Sequence, residues 1–221
     1  MVRADFDRHL RELQEELLIL GDLVEQAIAK SMEALKKRDL ALSQQVVDED
    51  DVIDQKRFQL EDRCIDLMAT QQPIAIDLRT LMAVLHISVE LERMGDYAEG
   101  IAKISLMMGN EPPLKPLIDL PRMAQLASTM LHQSLEALMN RDADLAERIC
   151  ADDDDVDALY DQVYRELLTY MIQDPNNIQR ATYLLWVAHD LERIADRATN
   201  IAERVIFMVT GKLVEINVSK Y

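Results

Sequence analysis

Apolar residues recur every three or four positions through most of the chain, the spacing of one buried face on a helix. Leu10, Leu13, Leu17, Leu20, Val24 and Ile28 mark a first helix over about 6–37. A second starts around Asp39, carries Leu42, Val46, Ile53, Leu60 and Leu67, and stops before Pro73. A third begins near Asp77, read as its N-cap, and carries Val84, Ile87, Leu91, Met94, Ala98, Ile101 and Met108. Gly109-Asn110-Glu111-Pro112-Pro113, with Pro116 and Pro121 soon after, then breaks the pattern. Three more helices are predicted at about 120–140, 142–173 and 177–210, with Asp174-Pro175-Asn176-Asn177 as a turn and Gly211 as the closing C′ residue. Long helices joined by turns of a few residues run antiparallel. The predicted fold is all-α: two tandem antiparallel three-helix bundles over 1–110 and 117–213, with a short tail at 214–221.

The halves repeat each other. Leu91-Glu92-Arg93-Met94-Gly95-Asp96-Tyr97-Ala98-Glu99-Gly100-Ile101-Ala102 returns as Leu191-Glu192-Arg193-Ile194-Ala195-Asp196-Arg197-Ala198-Thr199-Asn200-Ile201-Ala202. Glu33-Ala34-Leu35 and Arg38-Asp39 return as Glu136-Ala137-Leu138 and Arg141-Asp142, and Asp50-Asp51-Val52-Ile53-Asp54 as Asp153-Asp154-Asp155-Val156-Asp157. The offset shrinks from 103 to 100 through deletions at turns, as expected of a duplicated structural unit.

Composition sharpens this picture. Of 221 residues, 49% are hydrophobic and only 5% aromatic, with 5 Gly and 6 Pro, a helical profile. A net charge of −17 opposes nucleic acid, anionic membrane surfaces and free phosphate, and favours cations or basic protein surfaces. Cys64 and Cys150 lie in apolar helical patterns and read as buried small hydrophobes of a reducing compartment. There is no secretory signal pattern and no run approaching ~18 apolar residues, so a soluble, cytoplasmic chain without membrane insertion is expected.

Acids carry the chemical signal. Four i, i+4 pairs occupy repeat-equivalent places: Asp50 with Asp54, Asp153 with Asp157, Glu92 with Asp96, and Glu192 with Asp196. Like charges at this spacing cost a helix roughly 0.2–0.5 kcal/mol per pair. A multivalent cation held by carboxylate oxygens is the simplest compensation. Within each half the two pairs are expected to converge, giving one site of Asp50, Asp54, Glu92 and Asp96 and another of Asp153, Asp157, Glu192 and Asp196. Because Glu92 follows Leu91 by about 100° around the helix axis, these carboxylates are expected to face outward. The metal's identity is open among divalent and transition ions. The competing reading is a solvated acidic face, since Glu12 with Glu16, Asp62 with Asp66 and Asp157 with Asp161 share the spacing.

Other chemistry is not encoded. There is no Glu-x-x-His of di-iron bundles, no glycine-rich phosphate loop and no Gly-x-Ser-x-Gly elbow. His9, His86, His132 and His189 do not recur between halves and read as packing or surface positions, as Trp186 and the tyrosines read as helix packing. No catalytic residue is nominated.

On the duplicated Leu-Glu-Arg-x-x-Asp-x-Ala-x-x-Ile-Ala and the upstream Asp-x-x-x-Asp of each half, the chain resembles the PhoU family over about residues 6–211. That resemblance implies two three-helix bundles, metal ions at the E(D)xxxD motifs, and frequent homodimers. It also implies a non-enzymatic negative regulator of phosphate uptake and of the phosphate-starvation (Pho) response. Such an adaptor stands between the Pst phosphate ABC transporter, through its ATPase PstB, and a PhoR-type sensor histidine kinase. The family motif continues Gly-Asp-x-Ala-x-Asn-Ile-Ala; here Gly100 replaces the Asn in the first half and Ala195 the Gly in the second, so unequal sites are expected. The alternative is a surface-metal-binding helical protein with a metal-storage or metal-dependent enzymatic role.

Overall fold

A computed structural model describes residues 2–213; the tail expected at 214–221 lies outside the described residues. Among these are six α-helices and no strand: α1 (Val2–Lys37), α2 (Leu40–Gln71), α3 (Ile76–Met108), α4 (Asp119–Asn140), α5 (Ala143–Gln173) and α6 (Ile178–Thr210), with a 3-10 turn at Pro175–Asn177. The periodicity located all six to within a few residues.

Repeat-equivalent signals close equivalent turns. Arg38 and Arg141 end α1 and α4 in the left-handed region, at φ 57° and 54°. Asp39 and Asp142 follow, their carboxylates accepting hydrogen bonds from Leu42 N at 3.0 Å and Leu145 N at 2.9 Å. Each satisfies an amide that a helix start leaves without a partner. Gly211 closes α6 at φ 74°, as predicted.

The start of α3 differs from the expectation. Its N-cap is Ala75, at φ 51° and ψ −117°, and Asp77 lies two residues further on. The turn around Pro73 reverses direction through the backbones of Gln72 and Ala75, both at positive φ. Asp77 is thereby left in the first turn, where a carboxylate complements the helix dipole.

Helices α1–α3 form one bundle and α4–α6 the other, joined along α3 and α6 with α1 against α4. One continuous apolar core runs through both. Along the seam α3 and α6 are antiparallel: Glu90 meets Asn200, while Arg79 lies beside Gly211. The linker is tied down by Lys115, 8% exposed, whose ammonium pairs with Glu166 on α5 and, at 3.5 Å, with Asp119. Trp186 departs from the packing role expected of it: it is 48% exposed and lies against Tyr183, ring centroids 5.7 Å apart. Both cysteines are free and buried, and burial pushes their thiols up to about 12. They are packing residues.

Candidate functional site: two acidic clusters

The third and sixth helices each bring a Glu-x-x-x-Asp turn against an Asp-x-x-x-Asp turn on the preceding helix. In the first half, Asp50, Asp54 and Asp96 each place a carboxylate oxygen within 4.8 Å of the others, close enough to share one ion. Glu92 stands outside that trio but within its field. Burial, then Asp96 and Asp54, push the Glu92 carboxyl above its usual range, with Arg57 opposing. Asp50 is pushed up to about 7 by burial and by Glu99, Asp96 and Asp54. Asp96 is raised by burial, Asp54 and Glu99. The fifth acid, Glu99, already holds Lys103 at 2.5 Å.

Gly95 explains how the two helices come so close. A Cβ there would stand 3.1 Å from Ile53 Cδ1 and Cγ2 and 3.4 Å from Asp50 Oδ1. The missing side chain lets α2 settle onto α3 at the level of the acids.

In the second half the four predicted residues also converge, since Glu192 is pushed up to about 7 by burial and then by Asp196, Asp157 and Asp153, with Arg193 opposing. Here two of the acids are more deeply buried. Asp153 and Glu192 are 3% and 7% exposed, so the outward orientation expected of them is wrong. The 100° offset from Leu191 places Glu192 on a flank of α6 that faces Asp153 and Asp157 of α5 and is covered there, whereas Glu92 at the same offset on α3 stays partly exposed. Arg193 occupies this cluster: its Nη1 donates to Asp196 Oδ2 at 2.8 Å, and its Nε lies 3.5 Å from Glu192 Oε2. Among the described residues no second trio as tight as that of Asp50, Asp54 and Asp96 forms.

The two clusters are unequal, for one reason the motif comparison supplied, the exchange of Glu99 for Thr199, and one that it did not, the orientation of Arg193. Arg193 turns inward where Arg93 is exposed. Sequence reasoning also missed Glu90 and Asp190, repeat counterparts at the seam. Glu90 Oε2 accepts hydrogen bonds from Asn200 at 3.0 Å and Arg197 at 3.2 Å. Asn200 is thus a link between bundles, a role its neighbours in the motif could not announce.

Among the described residues no helix is long and apolar enough to cross a membrane. The PhoU domain profile matches residues 17–105 and 120–205, one copy per bundle. A Clostridium acetobutylicum protein named phosphate-specific transport system accessory protein PhoU homolog is 38% identical over 98% of this chain and 100% of its own. Its Aquifex aeolicus namesake is 41% identical over 94% of each chain. Crystal structures of PhoU from Pseudomonas aeruginosa and of the phosphate transport system regulatory protein PhoU from Streptococcus pneumoniae superpose with TM-scores of 0.90 and 0.89. Their identities are 35% and 32%; the first covers 94% of this chain and 100% of its own, the second 95% and 99%. Duplicated sequence, paired bundles and these full-length likenesses coincide: the chain belongs to the PhoU family.

Proposed function

We propose that this chain is a non-enzymatic adaptor that restrains phosphate uptake and the Pho response, joining the PstB ATPase of a Pst transporter to a PhoR-type sensor kinase. The observation that carries this reading is the near end-to-end similarity to proteins named as accessory to phosphate-specific transport. A rigid scaffold with one continuous core suits a protein that acts by favouring one conformation of its partners. Affinity capture from phosphate-replete and phosphate-starved cells tests it. Recovery of transporter ATPase and sensor kinase, with a ratio that changes with phosphate, supports the adaptor; recovery of neither under both conditions overturns it.

The same reading includes a cytoplasmic location, a homodimer and metal binding by the acidic clusters. Exposed Val52, Phe58 and Ile65 on α2 offer apolar surface for a second copy, which light scattering would register as a doubled mass. For metal, the donors fit: three oxygens within 4.8 Å in one cluster and a buried, hydrogen-bond-free Glu192 Oε2 in the other. Bound there, a divalent or transition ion would neutralise acids that now repel one another. Elemental analysis of chain purified without chelator, before and after dialysis against it, tests this; protein free of metal even after metal-replete growth would overturn it.

A further inference from the structure

The outward stripe of α5 is divided by chemistry. Asp154, Asp157, Asp161, Tyr164, Leu168 and Ile172 follow one another at intervals of three or four, so they share one side of the helix. The first half of the stripe is carboxylate and the second half apolar. Tyr164, Leu168 and Ile172 are 41%, 36% and 82% exposed. Helix α6 runs antiparallel to α5, with His189 beside Tyr160. That register sets Trp186, the single tryptophan of the chain and half exposed, at about the level of Tyr164.

The repeat supplies an internal control. The same six places on α2 hold Asp51, Asp54, Phe58, Glu61, Ile65 and Ala69, where acidic and apolar residues alternate. Glu61 there is paired with Arg57 at 3.0 Å. Both bundles fold on one helical frame, so folding does not require the segregation seen on α5. An apolar patch that the core does not need marks a contact surface, and Tyr and Trp are the residues that most often anchor one.

Charge decides what covers it. The stripe from Asp154 to Ile172 is about 27 Å long, or five helical turns. Arg165 beside it reaches Asp161 only at 4.0 Å, so the acidic half keeps its negative sign. A second copy laid along it in parallel would set carboxylate against carboxylate. Laid antiparallel, each copy would bury its carboxylates against the other's apolar half; both arrangements are costly. The acidic half also repels an anionic lipid surface. A helix that is cationic along one half and apolar along the other satisfies both halves at once, by packing of the helix-in-groove kind.

We propose that this face of α5, with Trp186 of α6 at its border, docks an amphipathic helix of a partner protein, cationic opposite 154–161 and apolar opposite 164–172. The proposal rests on the adaptor reading above, to which it adds a docking surface and the chemistry of what docks there.

The probe is a synthetic helical peptide of about 20 residues, enough to span the stripe, without tryptophan, with leucine along one face and lysine confined to one half. A twin carries glutamate for lysine. Titrated into the full chain, the lysine peptide should move Trp186 emission to shorter wavelength and bind at least tenfold more tightly than its twin. Y164S with L168S, its helicity checked by circular dichroism, should weaken that binding at least tenfold. I19S with I74S, which removes side chains of residues 49% and 77% exposed elsewhere, should change it less than twofold. No binding, equal binding of the twin, or equal loss in both variants overturns the proposal. A halved mass of Y164S with L168S in light scattering would give the face to a second copy and overturn it too. So would binding to phosphatidylglycerol vesicles that the same variant loses, which would give the face to a membrane. Capture from cells separates the proposal from the reading it rests on. If the unmodified chain recovers neither ATPase nor kinase, the adaptor reading fails and the proposal with it. If Y164S with L168S recovers both as fully as the unmodified chain, the adaptor stands and the proposal fails.

Discussion

Asp190 of α6 faces Gly100 of α3 across the seam between the bundles: a Cβ on Gly100 would stand 3.0 Å from Asp190 Oδ2. Its counterpart at the other end of the seam is complete, with Asn200 donating to Glu90 at 3.0 Å. Asp190 has been left with the acid but not the amide, and burial alone pushes its carboxyl up to about 7. Replacing Gly100 with Asn restores the missing donor, and the carboxylate is the free end of a side chain that can shift to admit it. The same change removes a helix-interior glycine. A gain of about 1–2 kcal/mol follows, or roughly 3–6 °C in Tm for a chain of this size. Thermal melts of G100N, D190A and the double variant check it: the gain from G100N should be smaller on the D190A background, where only the helix-propensity share remains.

Turn chemistry gives a pair of opposite changes. Asp39→Ala and Asp142→Ala each remove a carboxylate that caps a helix, and each should cost about 1 kcal/mol. Ala75→Gly should act the other way, by about 1 kcal/mol, because Ala75 sits at φ 51°, where a side chain is strained. Urea midpoints measure all three. A stabilised D39A or a destabilised A75G would contradict the turn geometry.

These contrasts show what the sequence could disclose. Helices, turns and the two bundles were legible because a three-four apolar period and proline breaks are local signals. So was the convergence of Asp50 and Asp54 with Glu92 and Asp96, since the repeat marked both turns. The burial of Glu192 was not legible, because Glu92 sits at the same place in the repeat and on the same helical wheel yet stays partly exposed. Arg193 turning inward while Arg93 faces solvent is a choice between identical residues, decided by surroundings distant in sequence. Asp77 misled for a related reason: a good capping residue was present, but the chain reversed two residues earlier.

Stability should fall with rising pH when metal is withheld. Asp50, Asp190 and Glu192 are each raised to about 7 in the folded chain, against ordinary values of 3.8, 3.8 and 4.5. Between those limits the folded chain retains protons that the unfolded chain has released. By linkage, unfolding free energy then declines as pH rises from about 4 to about 7, and the contribution is constant above. Urea unfolding in chelator across that window, beside the variant D50N, D190N and E192Q, isolates the effect. The variant should lose less stability with rising pH, and parallel curves would show that these carboxyls do not titrate as described.

Asp54→Asn should change sign with metal. In metal-free protein it removes a charge that Asp50, one turn away, and Asp96 and Glu92 on α3 all oppose. A like-charge helix pair alone costs roughly 0.2–0.5 kcal/mol, so the variant should melt slightly higher than the unmodified chain in chelator. With Mn²⁺ present the carboxylate becomes a ligand, and its amide replacement a poor one. At a hundredfold excess over the dissociation constant, one bound ion adds about 2.7 kcal/mol to the folded state, or roughly 5–10 °C at this chain length. The variant should lose most of that increment, so the two melting curves cross in order as chelator gives way to metal. Because a mere packing defect lowers Tm in both conditions, the reversal separates a ligand from a structural acid. A Mn²⁺ shift that is equal in both proteins would remove Asp54 from the site.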